Sequence, residues 1–228
     1  MGLKKANVPA TPVASVDQRL AQTVVLLQRQ FLLTEHAIQA GTASLMEFEG
    51  AIGSGYQSIR NVFSVFNYAF SLVDHLVRYR KIASVLPRIN QKGAEFRAVE
   101  SALQPLTLVR NQFQHINDLI ENQNSGPLLG SVCWHSSTSQ FVASFNDIGR
   151  QRSVPLVWLD TLTGKFGLHF CYIYNESYYD LDKAIKGMRD FQQFINGYCA
   201  VQIDGKEFVQ EEHFMAMKID FKLSPNAV

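Results

Sequence analysis

The stretch LTLVRNQFQHINDLIENQNSGPLLGSVCWHS, residues 106–136, decides how this chain divides. With Leu106 at zero and about 100° per residue, Leu106, Val109, Phe113, Ile116 and Ile120 fall within about 80° of one another, one apolar stripe of a helix. Asn124-Ser125-Gly126-Pro127 interrupts that period, because this turn-forming run ends in a residue that cannot donate a backbone hydrogen bond. Directly after it, GSVCWHS (130–136) is short, β-branched and aromatic, as a strand is. Helix, boundary and strand thus lie within one run of chain.

Upstream, the period stays helical. Leu20, Val24, Leu27 and Phe31 recur in steps of four, three and four, which predicts a helix from about Val16 to Ala40 that Gly41 ends. A second helical segment is expected from Leu45 to Leu86, broken near Gly53 and Gly55 and closed by Pro87. A third, Ala94 to Asn122, contains Pro105 and should kink or split into two abutting helices.

Downstream, QFVASFND (140–147), VPLVWLDT (154–161) and FGLHFCYIYN (166–175) read as further strands, with Thr163-Gly164-Lys165 as a hairpin turn. Ser177 is the expected cap of a helix reaching Gly197, with Asp180 and Asp182 near its positive end. A last hairpin turns at Asp204-Gly205. The class expected is α+β: a flexible arm (1–14), a helical bundle (15–124), then an antiparallel sheet with one long helix (125–228).

Composition narrows the function. Of 228 residues, 46% are apolar and 18% charged, enough apolar content for a packed core. The net charge of +1 excludes a broad basic field, so any nucleic-acid contact must come from a local patch. No apolar run approaches the roughly 18 residues of a membrane span, the N-terminal residues lack a secretory apolar region, and Ala6 breaks the myristoylation pattern. A cytoplasmic protein without a membrane partner is the expectation. Cys133, Cys171 and Cys199 are far apart and odd in number, with no CxxC pair, which supports neither a zinc site nor a disulfide framework. His169 and Cys171 share a strand face, and Trp134 with His135 lies in another strand, but two residues make no metal site. No Gly-rich phosphate loop, GxSxG elbow or HExxH helix occurs, and neither metal nor cofactor is expected.

One cluster carries chemistry. Arg110, Asn111 and His115 lie outside the apolar stripe of the third helical segment, and Asn111 and His115 are one turn apart. A guanidinium offers a flat fork of donors suited to phosphate oxygens, and an imidazole can take and return a proton near neutral pH. Together they suit attack of a ribose 2′-hydroxyl on the adjacent phosphorus, the His moving the proton and the Arg stabilising the developing charge. The same three side chains would equally serve a solvated helix face. Leu108 and Leu119, beside His115, form a second apolar edge of the kind a partner helix covers.

The run RNQFQH (110–115) resembles the Arg-x4–6-His motif of the HEPN superfamily, in which a polar residue, often Asn, follows the Arg. Arg29 and His36 also meet the bare spacing, but Gln30 follows that Arg. The resemblance covers roughly residues 15 to 123 and implies a helical bundle that dimerises, bringing two motifs into one cleft. It implies a metal-independent endoribonuclease of toxin–antitoxin, antiphage-defence or RNA-processing type, with Arg110 and His115 catalytic and Asn111 orienting them. RNA and a cognate protein partner follow from the same resemblance. The alternative is a non-catalytic HEPN-like RNA- or protein-binding module, which the low net charge suits. On the second helical segment, Arg60, Ser64, Asn67, Ser71, Asp74 and Arg78 form a polar line about 80° wide. Asn67 and Asp74 are the candidate substrate-binding residues there, facing the cleft to orient His115 or hold RNA; otherwise the line is the wet face of a heavily packed helix.

Overall fold

A computed structural model describes residues 16–55, 58–114, 130–135, 139–144, 171–174 and 177–202. The architecture is α+β. Its helices are α1 (Val16–Gly53), α2 (Ile59–Ala83), α3 (Ala94–Leu103), α4 (Leu106–Gln114) and α5 (Leu181–Gln202). Its strands are β1 (Ser131–His135), β2 (Gln140–Ser144), β3 (Cys171–Tyr174) and β4 (Ser177–Asp180). The chain divides into compact units at Ile195/Asn196. The expected arm, the strand at 154–161, the turn at 163–165 and the hairpin at Asp204-Gly205 lie outside the described residues.

Helix α1 does not end at Gly41. Leu20, Leu27, Thr34, Gly41 and Phe48 recur every seventh residue and all are buried, a seam that repeats every two turns. Val24 and Phe31, which the sequence places on the core stripe, are only half-buried at its flank. At Gly41 the ring of Tyr68 on α2 lies so close that an added Cβ would fall 1.9 Å from its Cδ2. The glycine is there for the close approach of two helices. Its helix-propensity cost of about 1 kcal/mol is offset by the packing of a buried aromatic ring.

The chain turns after Gly53, and Gly55 takes a left-handed φ of 75°. Ser58 then caps α2, its side chain accepting from the Arg60 amide. Val65, Ala69, Leu72, Val73, Leu76 and Val77 form the buried face of α2. Complete burial of Leu72 and Leu76 contributes about 1.5–3 kcal/mol each. Pro105 splits the next segment as its missing donor requires: α3 stops at Leu103, and the Thr107 and Leu108 amides bond to Gln104 and Pro105 carbonyls in tight turns.

The sheet has strand order β2-β1-β3-β4, antiparallel throughout. All five residues of central β1 are buried. Trp134 stacks on its register partner Phe141, meets Phe48 edge-on at 5.1 Å and donates from Nε1 to Glu49 Oε1 at 2.8 Å. This fastens the sheet to the end of α1.

The sequence SYYD at 177–180, expected to begin a helix, is strand β4, paired with CYIY of β3. Adjacent tyrosines favour a half-buried pleated surface over a first helical turn. The cap is therefore Asp180 instead of Ser177: its Oδ1 accepts from the Lys183 amide at 2.8 Å. From there the first half of α5 packs on the other helices. Phe191 meets Phe96 of α3 edge-on, Arg189 pairs with Glu35 of α1 at 2.7 Å, and a Cβ on Gly187 would fall 2.7 Å from Ala102 Cβ.

Candidate functional site

Helix α4 is set by Leu106 and Val109, both buried, and this stripe aims the next residue, Arg110, back along α2. Arg110 Nε donates to Asp74 Oδ1 at 2.6 Å, and the other oxygen of Asp74 accepts from Arg78 Nε at 2.7 Å. One carboxylate thus bridges two guanidinium groups. The Arg110 side chain is 19% exposed against 58% for Arg78, so Arg110 is the anchored member and Arg78 the wet one. Six residues along α2 from Asp74, Arg80 makes a two-pronged contact with Glu100 of α3 and donates to Thr107 Oγ1 of α4 at 3.3 Å. These contacts pin the start of α4, and with it Arg110, across two other helices.

The structure brings Arg110 and Asp74 together. Asn111 is exposed on α4, and Asn67 is exposed on α2 about two turns from Asp74. His115 lies outside the described residues, as do Leu119 and His169. Leu108 is 57% exposed, consistent with an apolar edge that α1, α2 and α3 leave uncovered. Trp134 and His135 are buried in β1. Among the described residues, no group of three or more His, Cys, Asp or Glu side chains is placed to hold a metal ion, and no helix is long and apolar enough to cross a membrane.

Sequence reading missed a polar layer within the helical packing. Gln30 of α1, only 8% exposed, donates from Nε2 to His75 Nδ1 at 3.0 Å and to the His75 carbonyl at 3.2 Å. Buried Tyr79 donates its hydroxyl to Gln192 Oε1 of α5 at 3.1 Å, and Gln192 Nε2 donates to Gln28 Oε1 at 2.7 Å. Burial alone pushes the Tyr79 phenol far up, keeping it a neutral donor. The available signal was Gln30 lying on the same face as Leu27 and Thr34, a polar residue on an apolar stripe.

His75 carries a testable consequence. Burial lowers its pKa from the usual 6.5, opposed by the adjacent Asp74 carboxylate and assisted by Arg78. The amide of Gln30 points at Nδ1, so the neutral ring with its proton on Nε2 fits the contact. The folded state binds this proton less readily than the unfolded chain, so the contribution is complete above 6.5 and declines as pH falls below it. Thermal melts from pH 8 to pH 5 should show Tm falling on the acid side more steeply for wild type than for His75→Asn. A steeper fall in the variant would contradict the assignment.

No protein-family model matches this chain, and neither a curated protein nor a solved structure does.

Proposed function

We propose that this protein is a HEPN-type, metal-independent endoribonuclease that acts in the cytoplasm as a homodimer. The observation that carries the reading is Arg110, the motif arginine of RNQFQH, held by Asp74 where α2 and α4 meet, with Asn111 exposed beside it. A guanidinium fixed at its base needs little reordering when a phosphate arrives, which is what electrostatic stabilisation of a developing negative charge requires. His115 is assigned the proton transfers and Asn111 the orientation of the pair. The apolar edge at Leu108 is assigned to the dimer contact, where two copies of the motif would meet.

The test is incubation of purified protein with total RNA in excess EDTA. The expected result is cleavage that persists, leaving 2′,3′-cyclic phosphate and 5′-hydroxyl ends, because the attacking group is the RNA's own 2′-hydroxyl. Cleavage that stops on chelation, or ends bearing 5′-phosphate, would rule the mechanism out.

A second reading draws on the same ion pair. A phosphate must compete with Asp74 for Arg110, and a bundle used only to bind RNA or another protein could retain Arg110 as a strut. That module would shift RNA in a gel, or capture its protein partner, without cutting RNA. Binding without strand scission under every buffer condition favours it.

A further inference from the structure

Cys133 and Cys171 are far apart in sequence, yet they are register partners on β1 and β3. Partnered residues of an antiparallel ladder belong to the same face of the sheet. Their Cα atoms lie about 4.5 or 5.5 Å apart, according to whether the pair is hydrogen-bonded. Both separations fall within the roughly 4.4–6.8 Å that a disulfide spans. Cys133 is a buried thiol, 2% exposed, in the strand at the centre of the sheet.

We propose that Cys133 and Cys171 are a redox-modification site, closing to a cross-strand disulfide when the protein meets a hydroperoxide. One thiolate attacks a peroxide oxygen, the O–O bond breaks, and a sulfenic acid and water result. The second thiolate attacks the sulfenic sulfur, the S–S bond forms and the S–O bond breaks, releasing a second water. Two electrons pass from the two thiols to the peroxide, and the two thiol protons leave in the two waters.

Among the described residues the β1–β3 ladder has three register pairs, and Cys133↔Cys171 is one of them. Strands open locally at lower cost than the whole fold, so an oxidant can reach a thiol that is buried on average. Closure would tie off a loop of roughly 40 residues and fix β3. Since β3 pairs with β4, and Asp180 at the end of β4 caps α5, the bond would also stabilise the start of that helix. This inference is independent of the ribonuclease reading.

The experiment uses the full chain, reduced, then treated with molar excess hydrogen peroxide, alkylated under denaturing conditions and digested. The expected product is a Cys133-to-Cys171 linked peptide, with the protein lighter by two hydrogens and its Tm raised by roughly 5–15 °C, reversed by dithiothreitol. Cys133→Ser and Cys171→Ser should each abolish the shift, whereas Cys199→Ser should keep it. Should either serine variant fail to fold, the wild-type peptide map still decides. Cys133 remaining open to alkylation after peroxide, oxidation to sulfinic acid without a link, or links through Cys199 alone would each overturn the proposal.

Discussion

RNA cleavage by the His115→Ala protein is expected to be about 10²–10⁴-fold slower than wild type in single-turnover measurements, the usual contribution of a positioned acid–base group. Arg110→Ala should lose about 10²–10³-fold, the scale for removing one donor from a developing oxyanion. Arg110→Lys should recover little, because an ammonium is a point charge and cannot present the fork that Asp74 and a phosphate both engage. The double variant should be no slower than the slower single one, since two groups serving one transition state are not additive. The arginine variants should still fold. Removing Arg110 leaves Asp74 paired with Arg78 at a half-exposed site, so the stability cost should stay near 1 kcal/mol or less. Unchanged cleavage in the folded His115→Ala protein would remove the catalytic assignment.

Gly41→Ala should destabilise the fold by about 1–3 kcal/mol and lower Tm by several degrees, although alanine is the better helix former. The new methyl group would lie 1.9 Å from Cδ2 and 2.2 Å from Cγ of Tyr68, so the whole ring must move, and Tyr68 is only 7% exposed. Burial, with the Asp182 carboxylate a lesser contributor, pushes the Tyr68 phenol up to about 12, in keeping with a ring that has little room. Gly50, on the same helix, has nothing within 4 Å of an added Cβ. The same substitution there should stabilise by about 0.5–1 kcal/mol. Thermal melts of the two variants against wild type should therefore move in opposite directions. Equal shifts would mean that propensity, and not the contact with Tyr68, sets the role of Gly41.

Two corrections and one omission share one cause. Gly41 reads as a terminator because sequence displays its propensity and hides Tyr68, which arrives from α2. Ser177 reads as a cap because it precedes an amphipathic run, whereas pairing with β3 holds SYYD extended and passes the cap to Asp180. Gln28 and Gln192 look like ordinary surface residues until the approach of α5 to α1 and α2 puts them in hydrogen-bond reach. Each residue has one local preference, and a partner distant in sequence decides against it. The candidate site was legible where it depends on local chemistry: Arg110 and Asp74 each lie on a polar sector that helical spacing reveals. Their contact was not, because it depends on how α4 lies across α2.

By itself, the sequence determined the class and the break at Pro105. Apolar period and Pro105 act through backbone geometry within a few residues, so they need no knowledge of the rest of the chain. Only the tertiary structure decided that α1 continues through Gly41, that Asp74 holds Arg110, and that Cys133 and Cys171 are register partners on neighbouring strands. Those outcomes depend on helix packing and strand register, which follow from the shape of the whole core and leave no mark at any single position.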